Sequence, residues 1–288
     1  MTTLARVNVA CPYCGADVPR PWGSEEGWSA VRCGACRFVY LSPRPPADAI
    51  SEAAQLGQHA VESGTLDVVG AFSDKKVAGL RERLTEVWRD GQAPWLRRPL
   101  AWLDVGAGFG ELVKAVGDLA GGPGRVRGIE PCRPKVERAR ALGLEVDTRS
   151  LDEARAEGPW DVVSLINVFS HIPDVHGFFA EVATLVRPGG EVLVVTGNGA
   201  DIERADYPQA LSLPDHVTFG GEAHVVGVLE RAGLRVEGLS AFTTTLPRPA
   251  WETTLERSAA RILRRRVGYS RTPFRSLWVR ARRHAATR

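Results

Sequence analysis

Long apolar runs are missing from this 288-residue sequence. None approaches the roughly 18 residues that a membrane-spanning helix requires, and the opening segment MTTLARVNVACPYC lacks the apolar core of a secretory signal. Low-complexity composition is missing too, because 30 glycines and 19 prolines are too few for a fibrous or disordered chain. A large net charge is also absent: 37 Lys and Arg against 34 Asp and Glu leave +3. With 44% hydrophobic residues the chain can bury a real core. At roughly 150 residues per domain its length corresponds to about two domains. Together these features lead us to expect a soluble cytoplasmic protein with no transmembrane segment.

Acidic residues are missing altogether from 257–288, where eleven arginines fall, so the other 256 residues carry −8. A basic end on a mildly acidic body points to an anionic neighbour. Substrate phosphate, nucleic acid, a membrane surface and the protein's own body all meet that description.

Cysteine is sparse and paired. Four of the five cysteines form Cys11-x2-Cys14 and Cys33-x2-Cys36, with 18 residues between the pairs. That spacing matches a four-thiolate zinc site better than disulfides or free buried thiols. Glycines in CPYCG and CGAC let each turn aim both sulfurs at one ion. Four thiolates leave zinc no open position, so the ion would be structural, and it would provide most of the folding energy of so small a module. Between its cysteines the module carries Asp17, Glu25 and Glu26 against Arg20 and Arg32, which is no phosphate-binding face. We therefore expect a zinc ribbon over 1–46, ending in SPRPP, then helices over 47–96 that link it to a main domain over 97–288. In the linker, Val77, Leu80, Leu84 and Val87 mark one apolar helix face, and Phe72, Lys75 and Lys76 are candidates for a lid.

From residue 100 the pattern alternates. LAWLDVGA, VRGIEP, LEVDT, WDVVSLIN and EVLVVTG read as strands, while ELVKAVGDLA, RPKVERARAL and VHGFFAEVATLV carry helical spacing. Such alternation implies a mostly parallel sheet with helices on both faces and ligands beyond the carboxyl ends of its strands. The first strand runs into Asp104, Gly106, Gly108 and Gly110, then a helix. A dinucleotide fingerprint would place Gly or Ala where Glu111 stands, and an acid there would oppose a pyrophosphate, so NAD is disfavoured. An acid at the strand end suits a positive amino group, with glycine N–H groups to receive a carboxylate, and Glu130 in GIEP can accept two ribose hydroxyls. An amino acid at one strand and a ribose at the next describe S-adenosylmethionine.

The chain resembles the class I S-adenosylmethionine-dependent methyltransferases over roughly residues 97–245. LDVGAGFG, GIEP, WDVVSLINVFSHIPD and LVRPGGEVLVVTGN stand in the family's order. A similar N-terminal zinc ribbon occurs in a subgroup acting on sugars and natural products. The resemblance implies a Rossmann-like seven-stranded sheet whose last strand is antiparallel, a role that FRSLWVRARR (274–283) suits; part of the basic end would then be an edge strand. It implies cofactor contacts from Asp104, Gly106, Ala107, Gly108, Gly110, Glu130, Pro131 and Asn167. Ser150 and Leu151 stand where the family places adenine contacts, although Ser150 with Glu153 three residues on also reads as a helix cap.

Methyl transfer from a sulfonium is mostly positioning, and a base is needed only where the acceptor must lose a proton. His216 and His171 are the candidates, each with a structural role as its alternative. Cys132 reads as a packing thiol. The leading expectation is a methyltransferase acting on a hydroxyl of a sugar, nucleotide-linked sugar or secondary metabolite, with the basic end available to a phosphorylated acceptor. The alternatives are an RNA methyltransferase held by ribbon and arginines, and a binding protein on the same fold. Against RNA stands the absence of the Asn/Asp-Pro-Pro-Tyr motif that serves exocyclic amino groups of bases.

Overall fold

The structure is a computed structural model that describes residues 5–57, 70–97, 99–122, 124–244, 246–247, 269–270 and 273–284. Its first ordered unit is a hairpin. β1 (Pro19–Glu25) pairs antiparallel with β2 (Trp28–Cys33), Glu25 facing Trp28 across a two-residue turn. Glu26 and Gly27 take φ of 50° and 76° there, the left-handed backbone that tight hairpins need. β3 (Val39–Leu41) adds antiparallel to β2. The fourth strand of this sheet comes from far along the chain: β9 (Thr218–Phe219) pairs with β3, placing Tyr40 opposite Thr218.

The linker forms α1 (Ala47–Leu56) and α2 (Asp74–Val87). Ser73 caps α2, and Val77, Leu80 and Leu84 bury the face that their spacing predicted, packing with Leu112, Ala115 and Val116. Those partners belong to α3 (Glu111–Ala120), which follows β4 (Leu100–Val105). The alternation continues through β5 (Gly124–Ile129), α4 (Arg133–Ala141), β6 (Val146–Asp147), α5 (Leu151–Glu157) and β7 (Trp160–Ile166). It then runs through α6 (Val175–Leu185), β8 (Val186–Gly197), α7 (Glu222–Arg231) and β10 (Leu234–Thr243). A two-residue parallel pair, β11 (Leu246–Pro247) with β12 (Tyr269–Ser270), precedes β13 (Arg275–Arg283).

The main sheet has seven strands in the order β10-β13-β8-β7-β4-β5-β6. The run from β8 to β6 is parallel, and β13 is antiparallel to both its neighbours. Period-two alternation sorts side chains onto its two faces. Val163, Leu165, Val192, Val194, Leu277 and Val279 enter one apolar layer with Phe179 and Val225. Val162, Leu193, Val195 and Trp278 enter the other with Leu84, Trp102 and Leu112.

The expected edge strand is an interior one. β13 lies between β8 and β10, so the edges belong to β10 and β6. Alternation distinguishes the two faces of a strand but not its neighbours, and both faces of β13 are covered. Arg280 is 5% exposed and donates to the Val87 carbonyl and to Asp90, both at 3.1 Å. Arg282 donates to buried Glu191 at 2.6 Å, and Arg283 to the Val186 carbonyl at 2.6 Å. These arginines brace the protein's own body. The basic stretch 257–268 lies outside the described residues.

The cysteine module is clamped to the main domain through both of its knuckles. His224 Nε2 bonds the Cys36 carbonyl at 2.9 Å, and His176 Nε2 and Arg231 both reach the Tyr13 carbonyl, at 2.8 and 3.0 Å. Tyr13 stacks on Phe38 and meets His224 edge-on. His176 and His224 thus hold the two parts together.

Candidate active site

The loop between β4 and α3 turns on three glycines, Gly106, Gly108 and Gly110, with φ of 73°, 57° and 87°. At Gly106 a side chain would also overlap Val168. The loop satisfies its own amides: Gly106 N and Ala107 N donate to the Ile129 carbonyl at 2.8 and 3.0 Å, and Gly110 N to the Ala107 carbonyl at 2.9 Å. Gly108 N donates to Glu130 Oε2 at 2.9 Å. The N–H groups expected to receive a ligand carboxylate are therefore engaged within the chain.

Three carboxylates surround this loop. Asp104 and Glu111 are each 2% exposed, and Glu130 is 6% exposed. Asp104 Oδ1 accepts from Ser164 Oγ at 2.7 Å, and Ser164 in turn receives Trp102 Nε1 at 2.8 Å. Burial pushes the Asp104 carboxyl from 3.8 up to about 7; Ser164 and Lys76 oppose that rise, while Glu130 and Glu111 add to it. Glu130 is held by Gly108 N and by Cys132 N, the latter at 3.1 Å to Oε1. Lys76 Nζ, on α2, lies 3.3 Å from Glu111 Oε1. The lid candidate thus brings a cation to the acids.

Of the other expected cofactor residues, Pro131 is exposed beside Glu130, and Cys132 behind it is fully buried. Ser150 Oγ accepts from Glu153 N at 3.3 Å while Ser150 N donates to Glu153 at 2.8 Å, so its side chain serves as the helix cap that opens α5. Leu151 is half-buried against the core. Asn167 ends β7 with φ of 58°, a left-handed conformation that asparagine tolerates, its N–H donating to the Val195 carbonyl at 2.8 Å.

Asn167 opens into a cavity of about 250 Å³ at the carboxyl ends of β7 and β8. Ser170, His171, Thr196, His216 and Thr218 supply polar groups there, and Tyr207, Phe219 and Phe274 supply aromatic walls. The two histidine rings meet edge-on with centroids 4.9 Å apart. His171 Nδ1 is 3.0 Å from the Asp215 carbonyl. Burial, and next the neighbouring His171, push His216 from 6.5 down to about 4, against the opposite pull of the Leu211 carbonyl, Asp215 and Glu25. Its Nδ1 has no hydrogen-bond partner among the described residues. Burial thus favours the uncharged imidazole at neutral pH.

The four cysteine sulfurs all lie within 4.8 Å of one another, with Cys11–Cys36 and Cys14–Cys33 at 3.6 Å. Zinc–sulfur bonds of about 2.3 Å in a tetrahedron require sulfur–sulfur edges of about 3.8 Å. Cys11, Cys14, Cys33 and Cys36 fit that ion.

Tyr207, Phe219, Phe274, Thr196, Thr218 and Ser164 had escaped sequence reasoning. Ser164 sits mid-strand in WDVVSLI, where a lone polar residue in an apolar run was a readable signal. The three aromatics had none, since they converge from separate segments.

A methyltransferase-domain profile matches residues 77–239, more than half of the chain. A ubiquinone biosynthesis O-methyltransferase of Thiobacillus denitrificans is 31% identical over 175 residues, covering 54% of this chain and 72% of that protein. A protein of the same name from Sinorhizobium medicae is 34% identical over 137 residues, covering 44% and 53%. The chain spans little more than half the length of most of the curated relatives it matches. Among solved structures, a provisionally named methyltransferase of Bacillus halodurans aligns at TM-score 0.50 and 17% identity, over 71% of this chain and all of that one. At that identity the likeness is one of fold. The profile match across the glycine loop, the acids and the β7–β10 region places this chain in the methyltransferase-domain family.

Proposed function

We propose that the protein transfers the methyl group of S-adenosylmethionine to a hydroxyl of an uncharged small molecule, a sugar or other secondary metabolite. The observation that carries the reading is the trio of buried carboxylates, Asp104, Glu111 and Glu130, around the glycine loop. A ligand bearing an ammonium and a sulfonium relieves their mutual repulsion, whereas a dinucleotide pyrophosphate would increase it. Asp104 is the partner for the ammonium, and Glu130, already oriented by two backbone amides, is the partner for the ribose hydroxyls. With the loop amides engaged, Lys76 is the cation available to the ligand's carboxylate.

The acceptor belongs in the adjoining cavity. Its described lining offers imidazoles, hydroxyls, amides and aromatic rings but no lysine or arginine, which favours a neutral acceptor over a phosphorylated one or RNA. The relatives' name, O-methyltransferase, supports oxygen as the atom methylated. In the transfer the acceptor oxygen attacks the methyl carbon, the carbon–sulfur bond breaks with its electron pair going to sulfur, and S-adenosylhomocysteine leaves with its sulfur a neutral thioether. The hydroxyl proton passes to His216. The domain division at 46 and 96 belongs to the same reading, with Cys11, Cys14, Cys33 and Cys36 holding a zinc ion that supports the fold of the ribbon.

Calorimetric titration of the metal-loaded protein with S-adenosylmethionine, S-adenosylhomocysteine and NAD tests this. Both sulfur ligands should bind at micromolar concentration, NAD should not, and Glu130→Ala should weaken binding about tenfold or more, the loss of a charged hydrogen-bonding partner. Binding indifferent to Glu130 would remove the reading.

A further inference from the structure

The turn that presents His216 is built on the cysteine module. Glu25, at the end of β1, is half-buried, and its carboxylate accepts two backbone N–H groups from a segment remote in sequence: Leu211 N at 2.6 Å and Ser212 N at 2.8 Å. Ser212 has φ of 58°, a conformation that a non-glycine residue holds only when its surroundings impose it. The Ser212 carbonyl then accepts from His216 N at 2.9 Å, closing one turn whose last residue is the imidazole of the cavity. The next residue, Val217, receives Leu41 N at 2.9 Å, and Thr218 pairs with Tyr40, so the ribbon holds both ends of this turn. Farther back, Arg32 donates to the Ile202 carbonyl and lies 2.7 Å from Glu203. The hairpin supplies the rigidity: its two-residue turn fixes the Glu25 backbone, and Trp22 and Trp28 are buried beneath it.

We propose that Glu25 is a positioning residue for His216, the means by which the cysteine module sets the acceptor site. The inference rests on the methyl-transfer reading for the role of His216, but its geometry stands independently. An ionised carboxylate that accepts two N–H groups makes charge-assisted bonds, stronger than neutral ones. A glutamine in its place has one acceptor and would aim an amide N–H at a second donor. The groups facing His216 are His171 from the turn after β7, Asp215 from its own loop and Glu25 from the ribbon. Glu25 and His171 both bond the backbone of the turn, His171 at the Asp215 carbonyl and Glu25 at Leu211 N and Ser212 N, and of the two Glu25 belongs to the ribbon.

The test uses the full chain loaded with zinc. In the unmodified protein the Leu211 and Ser212 amides should exchange with deuterium far more slowly than exposed loop amides. In Glu25→Gln the imidazole resonance that disappears in His216→Gln should move at neutral pH. Its reaction with diethyl pyrocarbonate should speed up roughly threefold or more as the turn opens. Glu25→Asp, which keeps the charge, should fall between. S-adenosylmethionine affinity, read in the same samples, should be unchanged. Fast exchange of the two amides in the unmodified protein overturns the proposal even if the variants fail to fold, and so does an unmoved His216 signal in folded Glu25→Gln. Failure of the unmodified protein to bind S-adenosylmethionine would instead strike the methyl-transfer reading and leave the Glu25 result standing.

Discussion

Asp104 should couple cofactor binding to a proton. Its carboxyl is held near 7 by burial, so at pH 7 about half of the free protein carries it protonated. A ligand ammonium favours the carboxylate and draws the proton off. Binding at pH 7 should therefore release about half a proton, and nearly a whole one at pH 5. Affinity should rise about 50-fold between pH 5 and pH 7 and level off above pH 8. The assay is calorimetric titration in two buffers of different ionisation enthalpy, repeated across that pH range. Free-protein stability should run the opposite way. The unfolded state loses this proton near 3.8 and the native state near 7, so stability falls as pH rises between those values. At about 1.4 kcal/mol per unit, ionised Asp104 costs about 4 kcal/mol. Asp104→Asn should then raise the melting temperature of the ligand-free protein at pH 8 while abolishing the pH slope of binding. Equal heats in both buffers at pH 7, with affinity flat from pH 5 to pH 8, would refute the reasoning.

Gly106→Ala places a side chain against Val168 at a φ of 73°, and should cost about 1–3 kcal/mol of stability in denaturant titration and reduce cofactor affinity. His216→Gln should lower kcat by roughly 10²–10⁴ once an acceptor is in hand, with cofactor affinity preserved, as titration of both variables would show. Stripping zinc with a chelator, or making Cys33→Ser, should lower the melting temperature and expose Trp22 and Trp28, a change that tryptophan fluorescence would report.

The parts of the site that were legible in the sequence are those encoded by local spacing. LDVGAGFG combines a strand end, a left-handed turn and a helix start, and each is a short-range requirement. Glu130 and the two cysteine pairs are likewise fixed by distance along the chain. The cavity beside Asn167 was legible only in part, because Tyr207, Phe219 and Phe274 meet through chain crossings that periodicity does not encode. The same limit produced the misplaced edge strand, since alternation in RSLWVRARR describes its faces and says nothing of its neighbours. Engagement of the loop amides was invisible for a related reason: glycines signal that backbone can turn, not which acceptor its N–H groups will find. In the sequence Glu25 counts only as one of three acids in the ribbon, and its partners lie beyond residue 210.

The pairing of β3 with β9 also governs the order in which the molecule can be completed during synthesis. Both cysteine pairs are available for metal once residue 36 has left the ribosome, yet the outer edge of Val39–Leu41, apolar and fully buried in the finished protein, has no partner until Phe219 is made. Through most of translation this is an open strand edge, the kind of surface that recruits chaperones or other nascent chains. A product truncated before residue 218 would keep that edge open permanently, and its fate would be aggregation.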